Sequence, residues 1–385
     1  MRRYIFGFAI CFALAGAVHA QLTKNVLVQA GTPEDKATRE IGAATDPAQK
    51  LALIDKFQTD LGKGDMALLA NELYMGYYLD AKNWDKLAEY AQKQLEFDPD
   101  NFFAAMQLLR ANAEKHDAAQ EFEAGEKCGG IVTRFRAQQA PADADAAAWK
   151  VRHDQYLADA HDELQYIQAS MLDVVYHTHD ARSRASLAER FVAAFPDSPY
   201  AVSTENMAAM TFQGVTDNPK MIAAAQKALT LDPNDGAMLV LLADYYSEKG
   251  EQLDQADAYA KKAIQVLPKA AKPEGVADAD WSRQVTLQTG VAWSSVGQIL
   301  VNKKDDAGAI TAFQTAGPLL RAEKTAYARN LYRMGYTYAL MKKTPEAKAA
   351  LTEAASLDTP YKLLAQDTLS KLGSGAAPKR PGRSN

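Results

Sequence analysis

The sequence predicts an all-α protein, a right-handed α-α superhelix (solenoid) of stacked antiparallel helix hairpins. Ala, Leu, Lys, Gln and Glu dominate its 385 residues, and these are strong helix formers. Apolar residues almost never alternate with period two, which argues against strands. Two amphipathic segments, Leu95–Asn101 and Leu229–Asp235, also end alike with Asp-Pro followed by Asn or Asp. Proline cannot continue a helix and the polar residues after it can cap the next one, so this shared ending indicates a repeated helix junction.

The first twenty residues predict an export signal. Arg2 and Arg3 precede an apolar run from Ile5 to Val18, and Val18 and Ala20 supply small residues where a signal peptidase cuts. The run is shorter than the roughly 20 residues of a membrane span. We therefore expect cleavage near Ala20, a periplasmic or secreted protein, and no transmembrane span in the mature chain. An uncleaved N-terminal anchor is the alternative.

Charge and cysteine content restrict the function classes. Loss of residues 1–20 removes two arginines and lowers the formal net charge from −5 to −7, and this mild acidity argues against a nucleic-acid partner. Cys128 is then the only cysteine, and its local sequence offers no catalytic base. Gly125 and the pair at 129–130 follow no strand, so they predict no phosphate loop. We expect no catalytic residue, no cofactor and no metal.

The strongest internal repeat lies near the C-terminal end, where two segments share one frame of bulky and small residues. The first, within 290–320, consists of Trp293, Val296, Gly297, Leu300, Ala309, Phe313 and Ala316. The second, within 331–360, consists of Met334, Gly335, Tyr338, Ala347, Leu351, Ala354 and Pro360. This frame resembles the tetratricopeptide repeat family, whose period is 34 residues with two antiparallel helices per unit.

The resemblance extends, less regularly, over about three quarters of the mature chain. It implies small residues where paired helices cross, with Gly297 opposite Ala309 and Gly335 opposite Ala347. It also implies that units stack on one another, because a single hairpin leaves an apolar face exposed. A non-repeating helical bundle is the alternative architecture.

The domain organisation follows from these frames. We expect a flexible segment over 21–45, an array over 46–372 and a disordered, basic tail over 373–385. The array begins with a short amphipathic helix at 46–62 and closes with a capping helix at 360–372. The predicted repeat units are 66–101, 102–139, 147–198, 199–235, 236–268, 281–322 and 324–358.

The resemblance also implies a concave groove lined by the first helix of each unit. Polar and aromatic residues at the corresponding positions can hydrogen-bond a peptide backbone and stack on its side chains. The candidate partner-binding residues are Tyr77, Asn206, Gln213, Asp244, Gln298, Arg329, Tyr332 and Tyr336. We therefore expect a non-catalytic scaffold that binds a protein or peptide partner, an envelope component, through this groove.

Two other functions stay open at this stage. A metal-dependent or hydrolytic enzyme would use the His- and Asp-rich helices over 153–180, where His153, His161, His177 and His179 lie close in sequence. The first two are eight residues apart, about 12 Å along a helix, which is too far to share one ion. That enzyme would need the four histidines to converge. A spacer without a specific ligand would instead show a groove without an apolar or aromatic patch.

Overall fold

A computed structural model of the chain describes residues 26–273 and 275–373, and every long regular element in these ranges is an α-helix. No strand occurs in the described ranges. The helices form two compact units that divide between Ser198 and Pro199. Consecutive helices pack as antiparallel hairpins within each unit, which confirms the predicted class of α-α superhelix. The predicted export signal and basic tail lie outside the described residues.

Each unit contains nine α-helices within the described ranges. The first unit consists of α1 Pro33–Ala43, α2 Pro47–Leu61, α3 Asp65–Asp80, α4 Trp84–Phe97, α5 Phe102–Glu114, α6 Ala118–Arg136, α7 Ala146–Asp159, α8 His161–His177 and α9 Ala181–Ala194. The second consists of α10 Ala201–Gly214, α11 Asn218–Leu231, α12 Gly236–Lys249, α13 Leu253–Val266, a 3-10 turn Leu267–Lys269, α14 Asp278–Asn302, α15 Asp306–Leu320, α16 Lys324–Leu340, α17 Thr344–Ser356 and α18 Tyr361–Gly373.

One turn geometry recurs between the two helices of five hairpins. In each, a residue with positive φ follows the first helix, and the next N–H donates to the carbonyl five residues earlier, as Asp305 does to Leu300 at 2.9 Å. This is the Schellman arrangement, which satisfies the last carbonyls of a helix. The positive-φ residues are Lys82, His116, Thr216, Lys304 and Lys342. The turn at His116 lies in 102–139, where the sequence motif is nearly absent, so the repeat persists there in the backbone.

The α12–α13 turn is a longer version of this junction. Gly250 adopts φ 67° and Glu251 N donates to Tyr246 O at 3.1 Å. One further residue, Gln252, then takes φ 45° before α13 begins. The turn therefore accommodates the extra residue. Helices α12 and α13 are as long as α10 and α11.

Glycines set the close approach of the two strictest hairpins. A Cβ on Gly297 of α14 would lie 2.4 Å from the buried ring of Phe313 on α15. A Cβ on Gly335 of α16 would lie 2.7 Å from Leu351 on α17. Each glycine thus accommodates a bulky partner, whereas the sequence frame placed an alanine opposite it. The second helix is held close because the first carries no side chain at the crossing.

The segment 147–198 departs from the predicted single hairpin, because it contains the three helices α7, α8 and α9. Ala160 interrupts the helical run with ψ 10°, and α8 starts directly afterwards with Asp162 and Glu163 in its first turn. Acidic residues stabilise a helix N-terminus, so this position favours a new helix over continuation of α7.

Glycines of α6 position these helices. A Cβ on Gly125 would overlap Met171 of α8 at 2.4 Å, and one on Gly129 would lie 2.6 Å from the Ala194 carbonyl oxygen at the end of α9. Gly125 and Gly129, whose sequence context predicted no phosphate loop, are therefore packing positions where α8 and α9 approach the backbone of α6.

The N-terminal segment corrects another expectation. Residues 33–43, expected within a flexible segment over 21–45, form helix α1. Thr32 caps the helix by accepting a hydrogen bond from Asp35 N, and proline occupies the first helical position, where its missing N–H has no cost. Ile41 is buried against Ile54 and the first unit's aromatic core. Burial of one apolar face fixes a segment that its polar composition made look flexible.

Candidate partner-binding surface

Four first helices of the second unit lie side by side: α12, α14, α16 and α18, each packed on the next. We call the surface that they share the α12–α18 face. It carries Asp244, Gln298, Arg329, Tyr332 and Tyr336, which are five of the eight predicted partner-binding residues. The structure therefore brings together residues that lie up to about 90 positions apart in sequence.

The centre of the face is an ion network of four side chains that spans α12 and α16. Arg329 Nη1 donates to Asp244 Oδ2 at 2.8 Å. Arg333, 5% exposed, donates to Glu248 and lies 3.5 Å from Asp244 Oδ1. Two cations face two anions, so the network is neutral as a whole. Its polar groups satisfy one another and fix the side-chain positions.

Helix α14 lies between the two charged helices and contributes only small side chains at this level. Arg333 Nη1 donates to Ser294 Oγ at 3.0 Å, and Ser295 Oγ donates to Asp244 Oδ1 at 3.1 Å. Both serines are buried. A bulkier residue at either position would block the path by which the arginines cross α14 to reach α12. Gln298, one turn further along α14, is half-buried.

The network keeps its charges despite its burial. Burial alone would raise the pKa of Asp244, but Arg329 and Arg333 hold the pKa of this carboxyl below its usual range. Burial opposes the charge of Arg329 as well, and Asp244 outweighs it, so the pKa of the guanidinium is raised. An ion pair that is hydrogen-bonded on both sides stays ionised at neutral pH.

Tyrosines extend the face beyond the ion network. The Tyr332 ring lies 6.1 Å from that of Tyr336 and 6.0 Å from that of Tyr361 on α18, tilted by 44° and 38°. All three side chains are half-buried. Rings held by neighbours and still accessible give contact area with little loss of conformational freedom. The face thus combines a rigid polar centre with an aromatic margin.

The remaining predicted residues lie elsewhere. Asn206 of α10 donates to Asp235, the residue that caps α12, so its role is in the junction. Gln213 is exposed near the end of α10. Tyr77 belongs to the first unit, where its ring meets Tyr78 edge-on at 5.2 Å. These three positions do not belong to the α12–α18 face.

Sequence reasoning missed three members of the face, Glu248, Arg333 and Tyr361. The first two stand four residues after Asp244 and Arg329, which puts each on the same stripe of its helix. That spacing was a usable signal. Tyr361 gave none, because only the packing of α18 on α16 brings it to Tyr332.

The histidines of the alternative enzyme do not form one site. His153 is buried, stacked between Phe135 and Trp149 at 4.2 and 4.5 Å, with Nε2 2.8 Å from the Phe135 carbonyl oxygen. His177 is exposed on α8 beside Asp173. Within the described ranges, no three His, Cys, Asp or Glu side chains are placed to hold one metal ion.

Cys128 is unsuited to nucleophilic chemistry. It is fully buried in α6, and burial raises the pKa of its thiol to about 12. The reactive form of cysteine is the thiolate, so this side chain acts as a small apolar core residue.

None of the described helices combines the length and the apolar character that a membrane span requires.

Comparison with known proteins supports a tetratricopeptide-repeat relationship. Residues 328–360, which cover most of α16 and α17, match the family model described as Tetratricopeptide repeat. No curated protein matches the sequence. The crystal structure of yeast Tom70 shares 10% identity, with 89% of this chain and 95% of that chain covered at a TM-score of 0.29. The APC/C hetero-tetramer Cut9-Hcn1 shares 12% identity, with 89% of each chain covered at a TM-score of 0.25.

The chain thus has an all-helical fold in which one segment, residues 328–360, is similar to a tetratricopeptide hairpin. The matched hairpin is the one that supplies Arg329, Tyr332, Arg333 and Tyr336 to the α12–α18 face.

Proposed function

We propose that this protein is an exported, non-catalytic scaffold that holds an extended segment of a protein partner on its α12–α18 face. The observation that carries the proposal is the juxtaposition of a self-neutralised ion network with three half-buried tyrosines on neighbouring first helices. Tyrosine and arginine are the residues that most often dominate binding energy at protein interfaces.

The ion network favours binding by keeping the face in one arrangement. Arg329 and Arg333 are already held by Asp244 and Glu248, so a partner does not have to order them. A preformed surface lowers the conformational cost of association. The tyrosines then supply contact area, and the exposed rim of Glu248 supplies a polar edge.

The aromatic margin also separates this proposal from the spacer hypothesis. A spacer would expose only solvated polar side chains on its first helices, whereas this face clusters three aromatic rings.

The proposed export rests on residues 1–20 alone. It is tested by fractionating cells and sequencing the N-terminus of the mature protein, which should begin at Gln21.

The binding site is tested by site-directed photo-crosslinking in an envelope extract. A photoreactive phenylalanine replaces Tyr336 in one variant and Tyr338 in the other. Tyr338 is the matched control, because it lies on the same helix but faces α15, where it receives a hydrogen bond from Gln314. We expect a discrete crosslinked partner from position 336 and none from position 338.

Affinity for the captured partner then tests the energetic role of the tyrosines. Loss of a central interface tyrosine costs about 2 kcal/mol, roughly thirtyfold in Kd, so Tyr336→Ala should weaken binding by this order. Equal crosslinking from both positions, or equal affinity of Tyr336→Ala and wild type, would place the partner elsewhere and refute the proposal.

A further inference from the structure

The first unit contains a cleft that the proposed function does not use. It has a volume of about 520 Å³ and lies between the α5–α6 turn and one stripe of α8. Its wall is part apolar, including Ala169 and Val174. The polar lining includes His116, Glu121, Tyr166, Ser170, Asp173 and His177. A volume of this size suits a small molecule or one long side chain.

The base of the cleft is a buried carboxyl group that is not paired with a lysine or arginine of the described residues. Glu121, in the first turn of α6, is 9% exposed and accepts a hydrogen bond from Ser170 Oγ. Across the described residues, no lysine or arginine forms an ion pair with it. A buried carboxylate without a countercharge is costly, so this position gains from any cation that enters the cleft.

A second carboxylate stands at the rim. Asp173 follows Ser170 by one turn of α8, and its partner there is the His177 imidazole, 3.2 Å away. The pKa of Glu121 is raised above its usual value, mainly by burial and also by the nearby Asp173. The hydrogen bond from Ser170 and the charge of His116 oppose this rise. The two carboxylates therefore repel each other electrostatically across the cleft.

The other polar groups nearby do not favour an anion. The N-terminus of α6 opens on this side, but Asp117 caps it by accepting from Gln120 N at 3.1 Å. Arg110 lies over the Tyr166 ring, 5.4 Å from its centre, and so covers one face of that ring. A positively charged ligand would therefore bind to the two carboxylates and not to the Tyr166 ring.

The net charge of the first unit also favours a cationic ligand. Residues 26–198 carry 29 Asp and Glu against 18 Lys and Arg, whereas residues 199–373 carry 19 of each. A surface of one sign raises the local concentration of oppositely charged ligands. The cleft that holds Glu121 and Asp173 lies in the acidic unit.

We propose that this cleft binds an alkylammonium group, with the ammonium between Glu121 and Asp173 and its aliphatic stem on Ala169 and Val174. The same chemistry is found in a free diamine and in a lysine side chain of a protein. The site is independent of the α12–α18 face, so either proposal can fail without the other.

The test is calorimetric titration of the full chain at low salt and near neutral pH with two probes, cadaverine and Nα-acetyl-lysine methylamide. Glu121→Gln should weaken binding roughly tenfold or more, because it removes a hydrogen bond between two charged groups. Asp173→Asn should weaken it about two- to fivefold, as expected for an exposed pair. Glu123→Gln, an exposed carboxylate on the same helix, is the matched control and should bind as wild type does.

The outcomes separate the source of the amine as well as the site. Binding of both probes supports a site for free or protein-borne amines, and binding of the lysine probe alone supports a protein side chain. The Asp173 side chain is 71% exposed, so its variant will fold even if Glu121→Gln does not. No binding of either probe up to about 10 mM, or equal affinity in wild type and Asp173→Asn, would overturn the proposal.

Discussion

Replacing Gly297 by alanine should destabilise the protein by about 1–2 kcal/mol, although alanine is the better helix former. The new Cβ would lie 2.4, 2.6 and 2.8 Å from three ring atoms of Phe313, whose side chain is fully buried. Overpacking of this kind costs about 1–3 kcal/mol, and three contacts to a rigid ring favour the upper part of that range. The gain in helix propensity returns about 1 kcal/mol.

Gly76 provides the matched control. It lies inside α3, and a Cβ there would meet no atom within 4 Å. Gly76→Ala should therefore gain the helix propensity without the clash and stabilise the protein by about 0.5–1 kcal/mol. The change from glycine to alanine is therefore expected to destabilise the protein at position 297 and to stabilise it at position 76.

The assay is urea denaturation followed by circular dichroism, fitted to separate transitions where the two units unfold independently. Trimming the ring in Gly297→Ala/Phe313→Leu should recover part of the loss, because the pair then behaves non-additively. Wild-type stability of Gly297→Ala, or a change of stability in the same direction for both glycine substitutions, would contradict the predicted clash with Phe313.

Three further predictions concern the second unit. Lys304 holds φ 68° in its turn, so Lys304→Gly should stabilise the protein by about 1 kcal/mol in thermal melts, whereas Lys304→Ala should not, because alanine keeps the backbone strain. Arg333→Met should cost about 2 kcal/mol in urea denaturation, since it leaves Asp244 and Glu248 with one cation; a loss below about 0.5 kcal/mol would mean that the network contributes little. The depressed pKa of Asp244 stabilises the fold above its unfolded value of 3.8, and this stability is lost as the pH falls through the lower folded value; Asp244→Asn should flatten that acid limb of stability measured against pH.

Local sequence signals predicted most of the helical architecture. The two Asp-Pro junctions predicted a capping Asn or Asp, and Asn101 and Asp235 cap α5 and α12. The small-residue frame around Gly297 and Gly335 identified two hairpins in which a glycine lies against a side chain of the second helix. These signals are readable because caps and crossings depend on residues near one another in the chain.

The candidate site was only partly predictable. Helical spacing placed Asp244 and Arg329 on the surface of first helices, but it did not show that they bind each other. The two residues are 85 positions apart, and their pairing depends on the small serines of α14 between them. A residue predicted to contact a partner is thus a structural member of the face, and the tyrosines beside it are the better contact candidates.

The sequence by itself determined that this chain is helical and that two segments near its C-terminal end share one hairpin frame, because both depend on local backbone preferences and on periodicity along one helix. Tertiary structure alone decided that residues 33–43 are ordered, that 147–198 holds three helices, and that Tyr361 joins the tyrosines of α16. It also decided that Glu121 of α6 and Asp173 of α8 share a cleft. Those outcomes depend on which helix faces meet, and the free energy that selects them comes from burial between distant segments.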